Sequence, residues 1–498
     1  METNKIATIK TLGQLKASGY SPKGIKEELR ANMLDALKNK TDNFPEILGY
    51  QDSVVPEVER AILAKHNILF LGLRGQAKTS MARAMVRLLD EYIPVIEGSD
   101  LNESPFEPIS QASKRKVQEM GDDLPITWLH REERYSEKLA TPDVSVADLI
   151  GDVDPIKAAN LKLNYNDERV INFGLVPNAN RGIFVINELP DLQPRIQVAL
   201  FNILQEGDIQ IRGFKVRLPL DIMFVFTANP EDYTNRGSII TPLKDRIQSQ
   251  IITHYPREVE LAEQITLQEA ALDDNQKKNI TIDPLVHRVL EQVSFEARES
   301  ELIDQKSGVS ARLSITAYES LVAAAERRMI LNGDTHTHVR LSDLLSIIPA
   351  ITGKVELVYE GEQEGAIGVA HQLLSKSIRQ VFPTLFPNPE LAQKRKDAPN
   401  PYARIIKWFA QNEVDLLDTM SDVHFREEML KVDGLIAMVK KLHPEAQANE
   451  QFVLIEFILH GLAEFSLINK SVVEGKISFK DLMNSMFNFS DSDFDTEE

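Results

Sequence analysis
The segment that most constrains this chain is Asn67-Ile-Leu-Phe-Leu-Gly-Leu-Arg-Gly-Gln-Ala-Lys-Thr-Ser80. An apolar run from Ile68 to Leu71 breaks at Gly72 into a short loop, and Lys78-Thr79 then leads into the helical pattern Met81 to Leu89. Strand, glycine loop, Lys-Thr and helix is the order of a phosphate-binding loop. Glycines allow backbone N–H groups to turn inward on an anion, and the new helix points its positive end at the same place. In such a loop Lys78 reaches the β- and γ-phosphates of ATP and Thr79 offers its hydroxyl to Mg²⁺. Ala77 stands where a second glycine is usual, so its backbone is expected to be helical already, one step before the helix.

Composition narrows the setting. At 498 residues, 43% apolar and 26% charged, the chain has material for two or three cores. No apolar run approaches the roughly 20 residues of a membrane span, and Met1 to Lys10 lacks the apolar centre of a secretory signal. Zero cysteines exclude disulfides and thiolate chemistry. A cytoplasmic protein is the expectation. A net charge of −19 argues against a general nucleic-acid surface.

Further elements follow in order. Ser21-Pro22 is expected to start a surface helix running to Leu37, and Val54 to Ala64 another. Residues from Tyr92 to about Asp123 read as loop, with prolines and the basic cluster Lys114-Arg115-Lys116 taken as a solvated helix face. Alternation in Ile126–Arg131 and Tyr135–Thr141 predicts paired strands, and the polar stretch to Val170 an inserted element. Ile183–Ile186 is a buried strand ending in Asn187-Glu188, and a helix follows over Pro194–Gln205. Asp208–Leu218 predicts a hairpin turning at Gly213-Phe214, and Ile222–Phe226 a strand leading to Asn229. Gln250–His254 is a last strand, so a parallel α/β sheet covered on both faces is expected. Beyond Pro256 the pattern is helical, and the proline-rich Phe382–Pro401 suits a linker or an elaborate turn.

Several residues fit the loop by position. Glu188 is placed to polarise an attacking water, with Asn187 beside it toward Mg²⁺, where an aspartate is usual; the amide brings no negative charge. Asn229 is placed to sense the γ-phosphate. Arg246, with Arg236 as a weaker candidate, suits transition-state charge neutralisation from a neighbouring subunit, and Arg312 suits contact from a helical region. His336-Thr-His338 reads as a surface turn, and Trp128 and Trp408 as packing residues.

Residues 45 to 350 or so resemble the MoxR and magnesium-chelatase I-subunit branch of the AAA+ ATPases. The resemblance rests on Gly72–Thr79, Thr141-Pro-Asp143 with Ala147–Gly151, and Ala179–Glu188. It also rests on Gln197–Ile211, Thr227-Ala-Asn-Pro230 and Leu243-Lys-Asp-Arg246. It implies an AAA+ P-loop core with a parallel sheet of order 5-1-4-3-2, β-hairpin and helix insertions, an all-α lid and a C-terminal helical region. The implied divisions are 1–44 N-terminal extension, 45–256 core, 257–355 lid, 356–488 C-terminal helices and 489–498 acidic tail. Tyr50 and Gln51 take the adenine-side position, and Gly72, Arg74, Gly75, Gln76, Ala77, Lys78, Thr79 and Ser80 the Walker A position. Thr79, Asn187 and Glu188 lie on the metal side. Asn229 matches sensor 1, Arg246 the arginine finger and Arg312 sensor 2. Alanine before the lysine is common in MoxR loops. ATP and Mg²⁺ are the implied cofactors, a hexameric ring of this chain the implied assembly, and a von Willebrand A-domain protein the implied partner. Partner remodelling or metal insertion is the implied work. Two alternatives remain: a nucleotide-gated scaffold that barely hydrolyses ATP, favoured by Asn187, and a nucleic-acid remodeller using Arg212, Lys215 and Arg217.

Overall fold
A computed structural model describes residues 8–163, 168–210, 217–230, 238–394, 399–473 and 475–482. The chain divides into two compact units, Met1–His254 and Tyr255–Glu498.

The first unit is built on five parallel strands: β1 (Ile68–Leu71), β2 (Tyr135–Leu139), β3 (Gly182–Asn187), β4 (Ile222–Ala228) and β5 (Ser249–Ile252). Their order across the sheet is β5-β1-β4-β3-β2, the order the family resemblance implies. Side chains alternate along each strand, so each strand feeds two cores. Leu69, Phe184, Ile186, Phe224 and Phe226 pack on one face. Ile68, Phe70, Ile183, Val185, Met223 and Val225 pack on the other. Register aligns Leu71 with Ala228 and Phe226 with Ile186, which brings the carboxyl ends of β1, β4 and β3 side by side.

Several local expectations change. The stretch after Asp90 is not loop throughout: Tyr92–Ile96 is a strand and Gln111–Met120 a helix that exposes Lys114, Arg115 and Lys116. Pro94 obscured that strand, but a two-stranded sheet tolerates a residue with no N–H. Ile126–His130 pairs antiparallel with Tyr92–Ile96, whereas β2 joins the parallel sheet beside β3. The first long helix is Ile25–Asn39, starting after Gly24 instead of at Ser21-Pro22. It is no mere surface element: Ile25, Leu29 and Met33 are buried in the core beneath β1. Its Glu28 makes a bidentate pair with Arg134, both contacts 2.7 Å, with side chains only 4% and 1% exposed. The helix expected over Pro194–Gln205 is two short helices, Pro194–Ala199 and Phe201–Glu206, meeting at the buried Leu200. A helix, Pro155–Leu161, lies between the paired strands Gly151–Val153 and Ile171–Phe173, as an inserted element in the chain. Asp208–Gln210 pairs antiparallel with Arg217–Pro219, and the turn at Gly213-Phe214 with Arg212 and Lys215 lies outside the described residues. So do Arg236 and the acidic tail.

The second unit is dominated by helices, the longest Pro284–Glu299, Arg312–Asn332, Ala366–Leu385 and Ala448–Glu464. It also holds a three-stranded antiparallel sheet, Val414–Leu417, Asn469–Val473 and Lys476–Lys480, which the helical reading passed over. Unlike Ile68–Leu71, none of these three strands is a continuous apolar run. Phe382 and Phe386 are buried in one core that runs from Ile280 to Phe479, and the Tyr402 hydroxyl donates to the Pro387 carbonyl at 2.5 Å. The described part of the proline-rich stretch is therefore packed into that core at Phe382 and Phe386 and carries a short helix, Pro389–Lys394. Buried Glu456 accepts the N–H groups of Leu341 and Ser342, each at 2.8 Å, tying helix Ala448–Glu464 to the turn at 341.

One helical turn along lies His460, whose imidazole burial holds well below its ordinary value. A folded pKa below the unfolded value of about 6.5 means the unfolded chain binds the extra proton first. Its contribution to stability is therefore complete above about pH 6.5 and lost as pH falls toward the folded pKa. The melting temperature should fall between about pH 6.5 and 5, less so in His460→Leu. Identical slopes for the two proteins would exclude His460 as the cause.

Candidate functional site
The loop after β1 folds as its glycines dictate. Gly72 lies against β5, where an added Cβ would meet the Thr253 hydroxyl at 2.0 Å and the Gln76 amide oxygen at 2.3 Å. Gly75 has φ of 73°, in the left-handed region. Ala77 differs from expectation: its φ of 51° and ψ of 20° are left-handed, not helical, directly before the helix Lys78–Ala84. A methyl group in that conformation costs about 1 kcal/mol, which explains why glycine is usual there. Ala77→Gly should therefore raise the stability of the first unit by up to about 1 kcal/mol in denaturant unfolding, the strain relieved exceeding the entropy glycine adds to the unfolded chain. A loss of stability would rule out strain at Ala77.

Lys78 is 7% exposed. Its ammonium donates to the Gly72 carbonyl, to the Leu73 carbonyl at 2.9 Å and to the Asn229 amide oxygen at 2.7 Å. Asn229 in turn donates from Nδ2 to Glu188 Oε2 at 2.8 Å. Residues from three strand ends are thus linked: Lys78 beyond β1, Asn229 beyond β4, Glu188 beyond β3. Glu188 has φ of 55° and ψ of 51°, a left-handed backbone of the kind that collects at functional positions. The Thr79 hydroxyl donates to Asn187 Oδ1 at 3.2 Å.

Thr227 had no assigned role in the sequence. Its hydroxyl donates to Asn187 Oδ1 at 3.1 Å and accepts the Glu188 N–H at 3.1 Å. The signal was its place two residues before Asn229, but an alternating strand gives no cue that this hydroxyl faces β3.

The remaining predicted residues divide. The Tyr50 hydroxyl is shared between the carbonyls of Gln76, 2.9 Å, and His254, 2.8 Å, pinning the loop to the end of β5. Gln51 is exposed and donates to the Ile47 carbonyl at 2.8 Å, Arg74 is half-buried, and Ser80 is exposed. Arg83, at the end of the loop helix, pairs with Glu137 of β2 and holds that carboxyl below its usual range. Arg246 is held by Gln205, with contacts of 2.7 and 3.1 Å, by the Pro242 carbonyl, and over the Phe201 ring at 5.0 Å. Arg312 is exposed at the start of helix Arg312–Asn332 in the second unit.

Among the described residues no group of three or more His, Cys, Asp or Glu is placed to hold a metal ion. The oxygens gathered here are a hydroxyl, an amide and a carboxylate, from Thr79, Asn187 and Glu188. Such hard donors suit Mg²⁺, which keeps several waters and phosphate oxygens and needs few protein ligands. The backbone loop and the buried Lys78 ammonium suit the phosphates.

A model of the Sigma-54 interaction domain matches residues 164–252. The magnesium-chelatase 38 kDa subunit of Cereibacter sphaeroides is 25% identical over 209 residues, covering 41% of this chain and 56% of that protein. Its counterpart in Rhodobacter capsulatus is 25% identical over 220 residues, covering 44% and 57%. The chain thus spans little more than half the length of these curated relatives. Among solved structures, a model of the complex between subunits BchI and BchD of magnesium chelatase aligns at 19% identity, covering 64% of this chain and 98% of that one, with a TM-score of 0.32. No helix of the described residues is long and apolar enough to cross a membrane.

Proposed function
We infer that the chain is an AAA+ ATPase of the magnesium-chelatase I-subunit and MoxR branch, and that it binds and hydrolyses ATP–Mg²⁺ at the loop after β1. The observation that carries this reading is the convergence of Lys78, Asn229 and Glu188 at adjacent strand ends. Lys78 exchanges the Asn229 amide oxygen for the β- and γ-phosphates, which leaves Asn229 facing the γ-phosphate. Glu188 Oε orients the attacking water and draws its proton. Thr79 and Asn187 would hold Mg²⁺, which would supply positive charge to offset that of the phosphates. Tyr50 and Gln51 border the adenine side.

Arg246 acts in trans at the site of a neighbouring copy in a ring, a hexamer by family analogy, and Arg312 contacts the phosphates from the helical lid. Hydrolysis then remodels a partner protein or drives metal insertion in the cytoplasm, with a von Willebrand A-domain protein as partner. This work, the partner and the lid, C-terminal and tail divisions are carried from the family by analogy.

A second reading is favoured by Asn187, whose neutral amide brings no charge to the cation: a scaffold that binds ATP, assembles and hardly turns it over. Steady-state ATPase rates and sizing of wild type, Glu188→Gln and Asn187→Asp separate the two. The motor reading expects wild type to exceed Glu188→Gln by at least about 100-fold, as for loss of a general base. Asn187→Asp should lower the Mg²⁺ concentration needed. Equal rates for wild type and Glu188→Gln leave the scaffold standing and remove the motor.

A further inference from the structure
We propose that Thr227 is a positioning residue that fixes the Asn187 amide with its oxygen toward Thr79, making a metal-side asparagine workable. The inference rests on the reading above, in which Asn187 faces the cation.

An asparagine differs from an aspartate in having two unlike ends. One is an acceptor oxygen, and the other is an NH₂ that can only donate. Turned the wrong way, it presents hydrogens to a cation and its waters. Which way it faces is therefore a problem that arises only when asparagine replaces aspartate here.

The hydrogen-bond chain around Thr227 supplies the answer. The Glu188 N–H donates to Thr227 Oγ1, so one lone pair of that hydroxyl is taken. Its single proton points onward to Asn187 Oδ1, which also receives the Thr79 hydroxyl. Thr227 is 1% exposed, so its proton has no water to turn to. Flipping the Asn187 amide would bring NH₂ against two hydroxyls and strand the buried Thr227 proton, an unfavourable arrangement. The β3–β4 register, which pairs Ile186 with Phe226, places Thr227 beside Asn187. The same oxygen accepts from Glu188 in its left-handed conformation, so the side chain serves both neighbours.

The two services are separable. A carboxylate at 187 has two equivalent oxygens and no wrong orientation, so Asn187→Asp removes the need for orientation while leaving the Glu188 contact intact. Binding of a fluorescent ATP analogue, titrated with Mg²⁺, is to be measured for wild type, Thr227→Val, Thr227→Ser, Asn187→Asp and the Asn187→Asp/Thr227→Val double variant. Thr227→Val should raise the half-saturating Mg²⁺ about tenfold, the effect of one hydrogen bond. Thr227→Ser should restore it. The double variant should differ from Asn187→Asp by less than about twofold, the loss of coupling a cycle detects. If Thr227→Val melts early, Thr227→Ala in the same two backgrounds makes the same comparison. No shift in Thr227→Val, or an equal shift in both backgrounds, overturns the assignment; the equal shift leaves only the Glu188 contact. Absence of Mg²⁺-dependent binding in wild type instead removes the reading of the site itself, and this inference with it.

Discussion

Arg134→Ala should destabilise the first unit by about 3–5 kcal/mol, the usual consequence of stranding one member of a buried ion pair. Arg134 meets Glu28 through two 2.7 Å contacts, and its Nε donates to the Arg181 carbonyl at 2.9 Å. Glu28 Oε1 also accepts the Asp90 N–H at 2.7 Å. Removing the guanidinium leaves a carboxylate with almost no water and one carbonyl without its donor. Glu28→Ala should cost a similar amount, because it leaves a buried guanidinium. The double replacement Glu28→Met/Arg134→Met should be closer to wild type than either single change, since charge desolvation consumes much of what the pair contributes. Denaturant unfolding followed by Trp128 fluorescence reads the first unit, with Trp408, which lies in the second, replaced by Phe. Single variants within about 1 kcal/mol of wild type would show that the pair behaves like an exposed one.

The larger functional effect is expected at Lys78. Lys78→Ala should weaken ATP binding by about 10²–10⁴-fold, the loss of two charge-assisted hydrogen bonds at about 1.5–3 kcal/mol each. In the structure this ammonium satisfies three oxygens, those of Gly72, Leu73 and Asn229, so it is already held where the loop closes. Lys78→Arg should not rescue binding: a planar fork does not fit a site shaped for a compact point charge. Glu188→Gln should behave oppositely, keeping binding while losing turnover. Calorimetric ATP titration of the three proteins, each checked by melting, distinguishes these effects. Full binding by Lys78→Ala would refute the assignment of this loop to the phosphates.

The loop after β1 and the strands that end at Asn187-Glu188 and before Asn229 are legible in the chain because each depends on a few consecutive residues, whereas the order of the central sheet came from the family resemblance. An apolar run ending in glycines and Lys-Thr states its chemistry within a dozen positions. Ala77 was named from sequence as an anomaly, yet its left-handed backbone was not foreseen. Its conformation is imposed by the turn from β1 into the helix, not by its own preference.

What stayed hidden depends on distant partners. The paired strand Tyr92–Ile96 was masked by Pro94, and its partner Ile126–His130 was matched to a sequence neighbour. Glu28 and Arg134 are 106 residues apart, and no local pattern marks either as buried. Nothing in the sequence around Thr227 shows that the pairing of β3 with β4 sets its hydroxyl beside Asn187. Local chemistry is written in spacing along the chain. Register and burial arise from contacts across it, and here they set the hydroxyls of Thr79 and Thr227 against the Asn187 amide oxygen.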